Sequence, residues 1–223
     1  MLLTVDIGNT NITLGIFEGE NYVKEFRIGS DRDLSETEYE SLLMELLEGY
    51  SIDGCIVASV VDELNKKLKI ALDKVLGLNS VFISYDMDLG IGLDAEVPSE
   101  VGADRLANAA AVAHFIGNPV IVLDFGTATT FDIIDKNGNF SGGIIMPGLK
   151  LQLESLNLKT SKLPLVEITD VKKAIGNDTE SCILSGVILG HASSIDGLVE
   201  KCTAELGEKP TIIATGGNSK FMS

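Results

Sequence analysis

The sequence predicts an α/β fold built from two similar domains, because one pattern of strands and turns occurs twice. Residues 2–15 form an apolar strand, a tight turn and a second strand, with Asp6 ending the first strand and Gly8 in the turn. Residues 120–135 repeat this pattern, and Asp124 falls on Asp6. In each copy a hairpin turn then leads into a third strand. An internal duplication is therefore expected, in which two facing turns can grip a polyphosphate from both sides.

The order of the predicted elements defines the domain type. After the three strands of the first half come helix, strand, helix and strand, which is the order of a ribonuclease H-like unit. A capping box at residues 35–38 begins the first of these helices. We expect an N-terminal domain over residues 1–116 and a C-terminal domain over residues 117–223. Because the second half stops soon after its last matching strand, it is expected to be short or to end in an exposed apolar edge.

Composition limits the classes of function. The 223 residues are 45% hydrophobic, which is enough for real cores, and the net charge of −16 argues against binding nucleic acid or an anionic membrane surface. The three cysteines are odd in number and have no CxxC spacing, so neither a disulfide framework nor a zinc site is expected. We see no signal peptide and no apolar run long enough to span a bilayer. These features predict a soluble, cytoplasmic protein.

The first turn has the features of a phosphate site. Gly8 frees the backbone, so that the N–H groups of Asn9, Thr10 and Asn11 can converge on an anion. Asp6 beside a phosphate requires a cation between the two negative charges, and Mg²⁺ fits this position. An ordinary hairpin, in which Asn and Thr merely suit the turn, is the alternative for this stretch alone. The repetition of the pattern later in the chain favours the phosphate site.

A second candidate site is the segment Gly102-Ala103-Asp104-Arg105, which begins an alanine-rich helix. The helix dipole favours the charged form of Asp104 in the first turn, and the exposed N–H groups together with Arg105 can receive an anionic ligand. An ordinary acidic helix start would explain Asp104 by itself. Arg105 gains nothing from the dipole at that end, however, so we expect it to pair with another group.

Other nucleotide-binding and catalytic patterns are weak or absent. Residues 90–95 formally match GxGxxA, but they do not open a helix, and no Walker A or protein-kinase signature occurs. His114 and His191 lie late in helical segments without a paired ligand, which favours structural roles and leaves Ser-His or Cys-His chemistry unsupported. Phosphate binding is therefore assigned to the duplicated turns.

Five motifs in order resemble those of the bacterial type III pantothenate kinases, of the acetate kinase, sugar kinase, Hsp70 and actin superfamily. The motifs are Asp6-x-Gly8-Asn9-Thr10, Gly102-x-Asp104-Arg105, Asp124-x-Gly126-Thr127-x-Thr129-Thr130, Pro147-Gly148 and Thr215-Gly216-Gly217. The resemblance covers essentially the whole chain. It implies duplicated actin-like ATPase domains with a cleft between them, and a homodimer that phosphorylates pantothenate with ATP in the first step toward coenzyme A.

The resemblance also implies roles for individual residues. The first motif would hold the ATP phosphates, with Asp6 binding the metal. The Gly-x-Asp-Arg segment would hold pantothenate, with Asp104 as the proton acceptor. Asp124 would contact a monovalent cation, K⁺ or NH₄⁺, and Thr127 would contact ATP. Thr179, in the cap of a long helical stretch, would reach substrate across the dimer interface.

One position departs from the family pattern. Where the family usually has a tyrosine against pantothenate, seven residues before the glycine of Gly-x-Asp-Arg, this chain has Ala95. A kinase for another small hydroxylated acid and a non-catalytic nucleotide-binding regulator on the same fold are therefore alternatives. The retained Asp104-Arg105 pair favours the enzyme. An assay with ATP, Mg²⁺ and a panel of acceptors that includes pantothenate would separate the three.

Overall fold

A computed structural model describes residues 1–222 and contains two mixed β-sheets with helices. The chain divides into two compact units. The first consists of Met1–Leu89 and Val97–Ala107, and the second consists of Gly90–Glu96 and the chain from Asn108 onward. Helix α3 (Ala103–Phe115) contributes residues to both units. The domain boundary expected from the sequence stays a prediction.

The first unit has the predicted order of elements. They are β1 (Leu2–Ile7), β2 (Asn11–Glu18), β3 (Asn21–Gly29), α1 (Glu36–Leu46), β4 (Gly54–Ser59), α2 (Asp62–Leu76) and β5 (Val81–Phe82). The sheet order is β3-β2-β1-β4-β5, with β1 antiparallel to β2 and parallel to β4. The predicted capping box is present, because Ser35 Oγ accepts from Glu38 N and the Glu38 carboxylate accepts from Ser35 N.

The core of the first unit forms where the apolar side chains of its strands meet those of its helices. Leu3, Val5 and Ile7 of β1 belong to one buried cluster with residues of α1 and α2. Tyr39 and Leu43 are the buried residues of α1 itself. This cluster fixes β1, and therefore the position at which its last residues enter the turn.

The second unit has a comparable set of elements. They are β6 (Gly92–Leu93), β7 (Val120–Phe125), β8 (Ala128–Ile134), β9 (Asn139–Pro147), α4 (Leu149–Lys159), α5 (Thr179–Leu184), α6 (Gly190–Leu206) and β10 (Thr211–Thr215). A short 3-10 turn at Ser219–Phe221 belongs to this unit, whereas the one at Pro98–Glu100 belongs to the first unit. The sheet order is β10-β7-β8-β9-β6, so β7, β8, β9 and β10 repeat the arrangement of β1, β2, β3 and β4. The predicted duplication is confirmed.

The fifth strand distinguishes the two sheets. In the first sheet β5 lies beyond β4, whereas in the second sheet β6 lies at the opposite edge, beside β9. A Cβ on Gly92 would lie only 2.0 Å from Asn139 Oδ1, so a side chain at this position would require the Asn139 amide to move. Residues 90–95, which formally match a dinucleotide fingerprint, therefore include an edge strand.

The end of the described chain differs from the expectation of an exposed apolar edge. Phe221 and Met222 are half-buried and pack against hydrophobic clusters of the second unit. The 3-10 turn turns the chain back, with Phe221 N donating to Asn218 O at 3.1 Å. That expectation is therefore wrong for these two side chains. Strand β10 is at an edge of its sheet, and Ile212 on it is 41% exposed.

The helical stretch Thr179–Leu206 is interrupted where the sequence has Gly186 and Gly190. A π-helical segment, Ser185–Leu189, joins α5 to α6. By length and composition alone this stretch is apolar enough to cross a membrane, contrary to the sequence-based expectation. Core helices of soluble proteins meet the same criterion, and Ile183 and Ile195 on this stretch belong to hydrophobic clusters of the second unit.

Candidate active site

The first turn joins β1 to β2 over residues 8–11. Gly8 N donates to Asn11 O at 3.0 Å, which closes the turn. Asp6, Asn9 and Thr10 are exposed, so a carboxylate, an amide and a hydroxyl are presented at the end of β1. The structure thus brings together in one turn all the residues of the first motif.

The loop that follows β3 is tied to this turn, which the sequence did not indicate. Ser30 N donates to Thr10 O at 3.0 Å, and Ser30 Oγ donates to Gly8 O at 2.5 Å. Arg32 donates from a terminal guanidinium nitrogen to Asn9 Oδ1 at 3.2 Å. These contacts join residues twenty or more positions apart, so no local spacing pattern could have revealed them.

The Gly-x-Asp-Arg segment lies at the same end of the first sheet. Val60 N donates to Ile7 O at 3.1 Å, and Val60 Cγ1 is 3.3 Å from the place of a Cβ on Gly102. Asp104 Oδ1 is only 2.5 Å from that place, so a side chain at Gly102 would displace the carboxylate. Asp104 is therefore held beside the carboxyl end of β1, which carries the first turn.

The start of helix α3 fixes the orientation of Asp104. Leu106 N donates to Gly102 O at 3.0 Å, which begins the helical hydrogen bonding. Asp104 Oδ1 accepts from the backbone N–H of Arg105 at 2.7 Å. Ala103 is buried, whereas Asp104 and Arg105 are half-buried. The carboxylate thus lies among the N-terminal N–H groups of the helix, where a negative charge is stabilised.

The second turn repeats the first but is one residue shorter. Residues 8–11 lie between the paired Ile7 and Ile12, whereas only residues 126–128 lie between the paired Phe125 and Thr129. Gly126 N closes this turn by donating to Ala128 O at 3.0 Å. Thr127, at its tip, is exposed.

The Pro-Gly and Thr-Gly-Gly motifs each place a glycine against the second turn, where the chain segments after β9 and β10 approach it closely. A Cβ on Gly148 would lie 2.4 Å from Thr127 O, and a Cβ on Gly216 would lie 2.5 Å from both Asp124 Oδ1 and Phe125 N. Gly216 also has a φ of 89°, which favours glycine. The Pro-Gly and Thr-Gly-Gly motifs are therefore parts of the second turn's surroundings.

Two carboxylates that accept from one amide group lie next to the second turn. Asn108 Nδ2 donates to Asp124 Oδ2 and to Asp132 Oδ2, at 3.3 Å in each case. Asp132 is fully buried and Asp124 is half-buried. Neither Asn108 nor Asp132 was predicted from the sequence. An acidic residue inside the apolar run of β8 was the only available signal for Asp132.

His191 supports the second turn from within the unit. Gln152 Nε2 donates to Pro147 O at 2.9 Å and also lies 2.9 Å from His191 Nδ1. Because an amide nitrogen can only donate, His191 Nδ1 is the acceptor in the second contact. The ring proton is then on Nε2, which donates to Thr129 Oγ1 at 3.0 Å. Burial lowers the pKa of His191, so the imidazole is neutral. This is a structural arrangement, as its position in a helix suggested.

Thr179 is the first residue of α5, in the second unit. The helix is capped by Asp178, whose carboxylate accepts from Ser181 N at 2.8 Å. Thr179 is exposed at a groove of about 1110 Å³. The apolar side chains lining the groove are Leu151, Leu156, Leu163, Ile183 and Val187.

The described residues contain no group of three or more His, Cys, Asp or Glu side chains that could hold a metal ion. Such a cage is not needed for Mg²⁺ in a kinase, because this ion is usually held by one or two carboxylates together with substrate phosphates and water. Asp6, exposed at the end of β1, is a carboxylate of this kind. The donor set therefore fits a nucleotide-bound Mg²⁺.

Known proteins resemble this chain along most of its length. The sequence profile of type III pantothenate kinases matches residues 2–201. A type III pantothenate kinase from Desulfatibacillum aliphaticivorans is 42% identical over 229 residues, covering 100% of this chain and 89% of the relative. Another, from Moorella thermoacetica, is 40% identical over 222 residues, covering 97% and 87%.

A solved structure supports the fold alone. A conserved protein from Campylobacter jejuni, described as a Baf family transcriptional activator, matches with a TM-score of 0.59 at 20% identity, over 99% of this chain and 85% of that chain. The duplicated sheets, with an Asp-x-Gly turn in each, have the fold expected of actin-like ATPases and sugar kinases. This chain belongs to the type III pantothenate kinase family. Membership makes it a kinase that uses ATP.

Proposed function

We propose that this chain transfers a phosphoryl group from ATP to the primary hydroxyl of pantothenate, giving 4'-phosphopantothenate in the first step of coenzyme A biosynthesis. The observation that carries this proposal is the placement of Asp104 beside the carboxyl end of β1, where the first turn begins. A carboxylate next to a phosphate turn is what transfer to a hydroxyl requires. Family membership supports pantothenate as the acceptor.

Different residues of the first unit bind the phosphates and accept the proton. Phosphoryl transfer needs little covalent chemistry from the protein, so positioning and electrostatic stabilisation supply most of the rate. The N–H groups of Asn9, Thr10 and Asn11, with Gly8 permitting their turn, hold the phosphates. Asp104 accepts the proton of the attacking hydroxyl.

The remaining residues of the Gly-x-Asp-Arg segment hold pantothenate. Gly102 and Ala103 bring the backbone close, and the cationic Arg105 suits the carboxylate of the substrate. In the second unit, Thr127 contacts ATP from the tip of its exposed turn. Ala95, in place of the family's usual tyrosine, is half-buried two residues after β6.

Two cations are part of the proposal. Asp6 binds Mg²⁺, which neutralises charge on the transferred phosphoryl group. Asp124 binds K⁺ or NH₄⁺, because its half-buried carboxylate repeats the position of Asp6 in the second turn. Asp6→Asn should therefore weaken the Mg²⁺-dependent step and recover partly at raised Mg²⁺. Asp124→Asn should change the dependence on K⁺ or NH₄⁺ instead.

We also propose a cytoplasmic homodimer in which Thr179 reaches the partner's substrate. The groove beside Thr179 is mostly apolar, and exposed Leu158, Leu165 and Ile175 lie on the helix and loop between β9 and α5. A surface of this kind suits a protein interface. Thr179→Ala should raise KM for pantothenate more than it lowers kcat. A fully active monomer in sedimentation at micromolar concentration would contradict the dimer.

The direct test is steady-state turnover with ATP, Mg²⁺, K⁺ and pantothenate. Asp104→Asn keeps the size of the side chain but removes the proton acceptor, so turnover should fall by about 10² to 10⁴ while both substrates still bind. Asp62→Asn is the matched control, because Asp62 is also an acid in the first turn of a helix of the same unit. Near-normal turnover by Asp104→Asn would show that the assignment of the base is wrong.

A panel of other small hydroxylated acids, run with the wild-type protein, tests the acceptor itself. Pantothenate should be turned over with the highest kcat/KM. Faster turnover of another acid would overturn the choice of substrate while leaving the kinase assignment intact.

A further inference from the structure

The loop after β3, residues 30–34, is fixed in place at both of its sides. Besides the Ser30 contacts to the first turn, Tyr39 Oη donates to Asp31 O at 2.6 Å, and Tyr39 is fully buried. Lys67 Nζ donates to Arg32 O at 2.7 Å and to Leu34 O at 2.9 Å. The backbone that carries Arg32 is therefore held before any ligand arrives.

The guanidinium of Arg32 is directed at the first turn. It donates to Asn9 Oδ1 at 3.2 Å, and its Nε forms an ion pair with Glu63 Oε2 at 2.8 Å. Among the described residues, these contacts engage two of its five N–H donors, and the side chain is 48% exposed. Donors thus remain for an anion that enters the turn from solvent.

We propose that Arg32 binds the phosphoryl oxygens of the nucleotide held by the first turn. The inference rests on the proposed role of that turn. The turn itself, residues 6–11, contains no Lys or Arg and begins with the negative Asp6. A polyphosphate at that place needs positive charge, and an arginine that already touches Asn9 supplies it in a geometry suited to phosphate.

A purely structural role explains the contacts less well. The pair of Arg32 with Glu63 is exposed on both sides, 48% and 72%, and exposed ion pairs add little to stability. If the Arg32–Glu63 ion pair served only to stabilise the fold, loss of either side chain should have the same effect on nucleotide binding. If Arg32 binds phosphate, only loss of the arginine should weaken nucleotide binding.

The test compares four variants of the full chain, Arg32→Ala, Arg32→Lys, Glu63→Gln and Lys74→Ala, by calorimetric titration with Mg²⁺-ATP and by kinetics with pantothenate. Lys74→Ala is the matched control, because Lys74 is an exposed cation paired with Glu40 in the same unit, at 2.6 Å. Arg32→Ala should weaken ATP binding about tenfold to a hundredfold, as for loss of hydrogen bonds to a charged group. Arg32→Lys should recover part of this loss, while Glu63→Gln and Lys74→Ala stay within about twofold of wild type.

The outcomes separate this inference from the proposed function. The role of Arg32 would be overturned if Arg32→Ala bound ATP as tightly as the wild-type protein. It would also be overturned if Arg32→Ala and Glu63→Gln lost the same amount of ATP affinity. Either result would count even if the wild-type protein phosphorylates pantothenate. Loss of ATP affinity in Arg32→Ala alone would support it even if the wild-type protein rejected pantothenate. A wild-type protein that binds no ATP would overturn both.

Discussion

Replacing Gly216 by alanine should destabilise the second turn more than the backbone conformation alone explains. The φ of 89° at Gly216 costs an L-residue about 1–2 kcal/mol. The new Cβ would also lie 2.5 Å from Phe125 N and 2.7 Å from Phe125 C, which are backbone atoms that cannot move cheaply. Overpacking of this kind adds about 1–3 kcal/mol, so we expect a total of about 2–5 kcal/mol.

Gly207→Ala is the matched control, because Gly207 has a φ of 73° and nothing lies within 4 Å of its Cβ position. It should cost only the backbone term of about 1–2 kcal/mol. In a chain of this size about 1 kcal/mol corresponds to about 2–4 °C in Tm. Thermal unfolding should therefore show a larger fall in Tm for Gly216→Ala, accompanied by altered K⁺ dependence as Asp124 is displaced. Equal falls in Tm for the two variants would refute the collision argument.

Three further predictions concern titratable groups. Burial lowers the pKa of His191 below 6.5. The neutral imidazole therefore contributes fully to the free energy of unfolding above pH 6.5, and this contribution is lost as pH falls through the lowered pKa. The Tm of His191→Gln should accordingly change less between about pH 7 and pH 5 than the Tm of the wild-type protein. Burial alone would raise the pKa of Asp73, but hydrogen bonds from Ser80, together with the hydrogen bond and charge of Lys69, outweigh it and lower the pKa. Ser80→Ala should therefore cost about 1 kcal/mol in urea unfolding at pH 7, and less as Asp73 becomes protonated in acid. Burial raises the pKa of Cys55 to about 12, whereas Cys182 is exposed, so iodoacetamide followed by peptide mass spectrometry should find Cys182 labelled first.

Sequence reasoning succeeded where the signal is local. The capping box that begins α1 at Ser35 is fixed by neighbouring residues, and the structure has it. The duplicated turns were equally visible, because each consists of a strand end, an aspartate and a glycine within a few positions. The order of the elements in the first unit was also predicted correctly.

Contacts between distant positions were not visible in the same way. Arg32 reaches Asn9 across 23 positions, and Asn108 reaches Asp132 across 24. Hydrogen bonds between such distant side chains follow no spacing pattern in the sequence. Many other polar residues of the chain could have formed a hydrogen bond with the same side chain. The place of the edge strand at Gly92–Leu93 was missed for a similar reason, because two residues are too few to show a strand period.

The unequal length of the two turns has a structural consequence. In both copies a threonine is paired with the aspartate, Thr13 with Asp6 and Thr130 with Asp124, although one connection has lost or gained a residue. The length change is confined to the connection, so it does not turn the side chains of the following strand to the opposite face. Each loop can therefore acquire or lose a residue without changing the strand pairing of its sheet. Loop-length libraries made at one copy should accordingly leave the other copy's strand pairing intact.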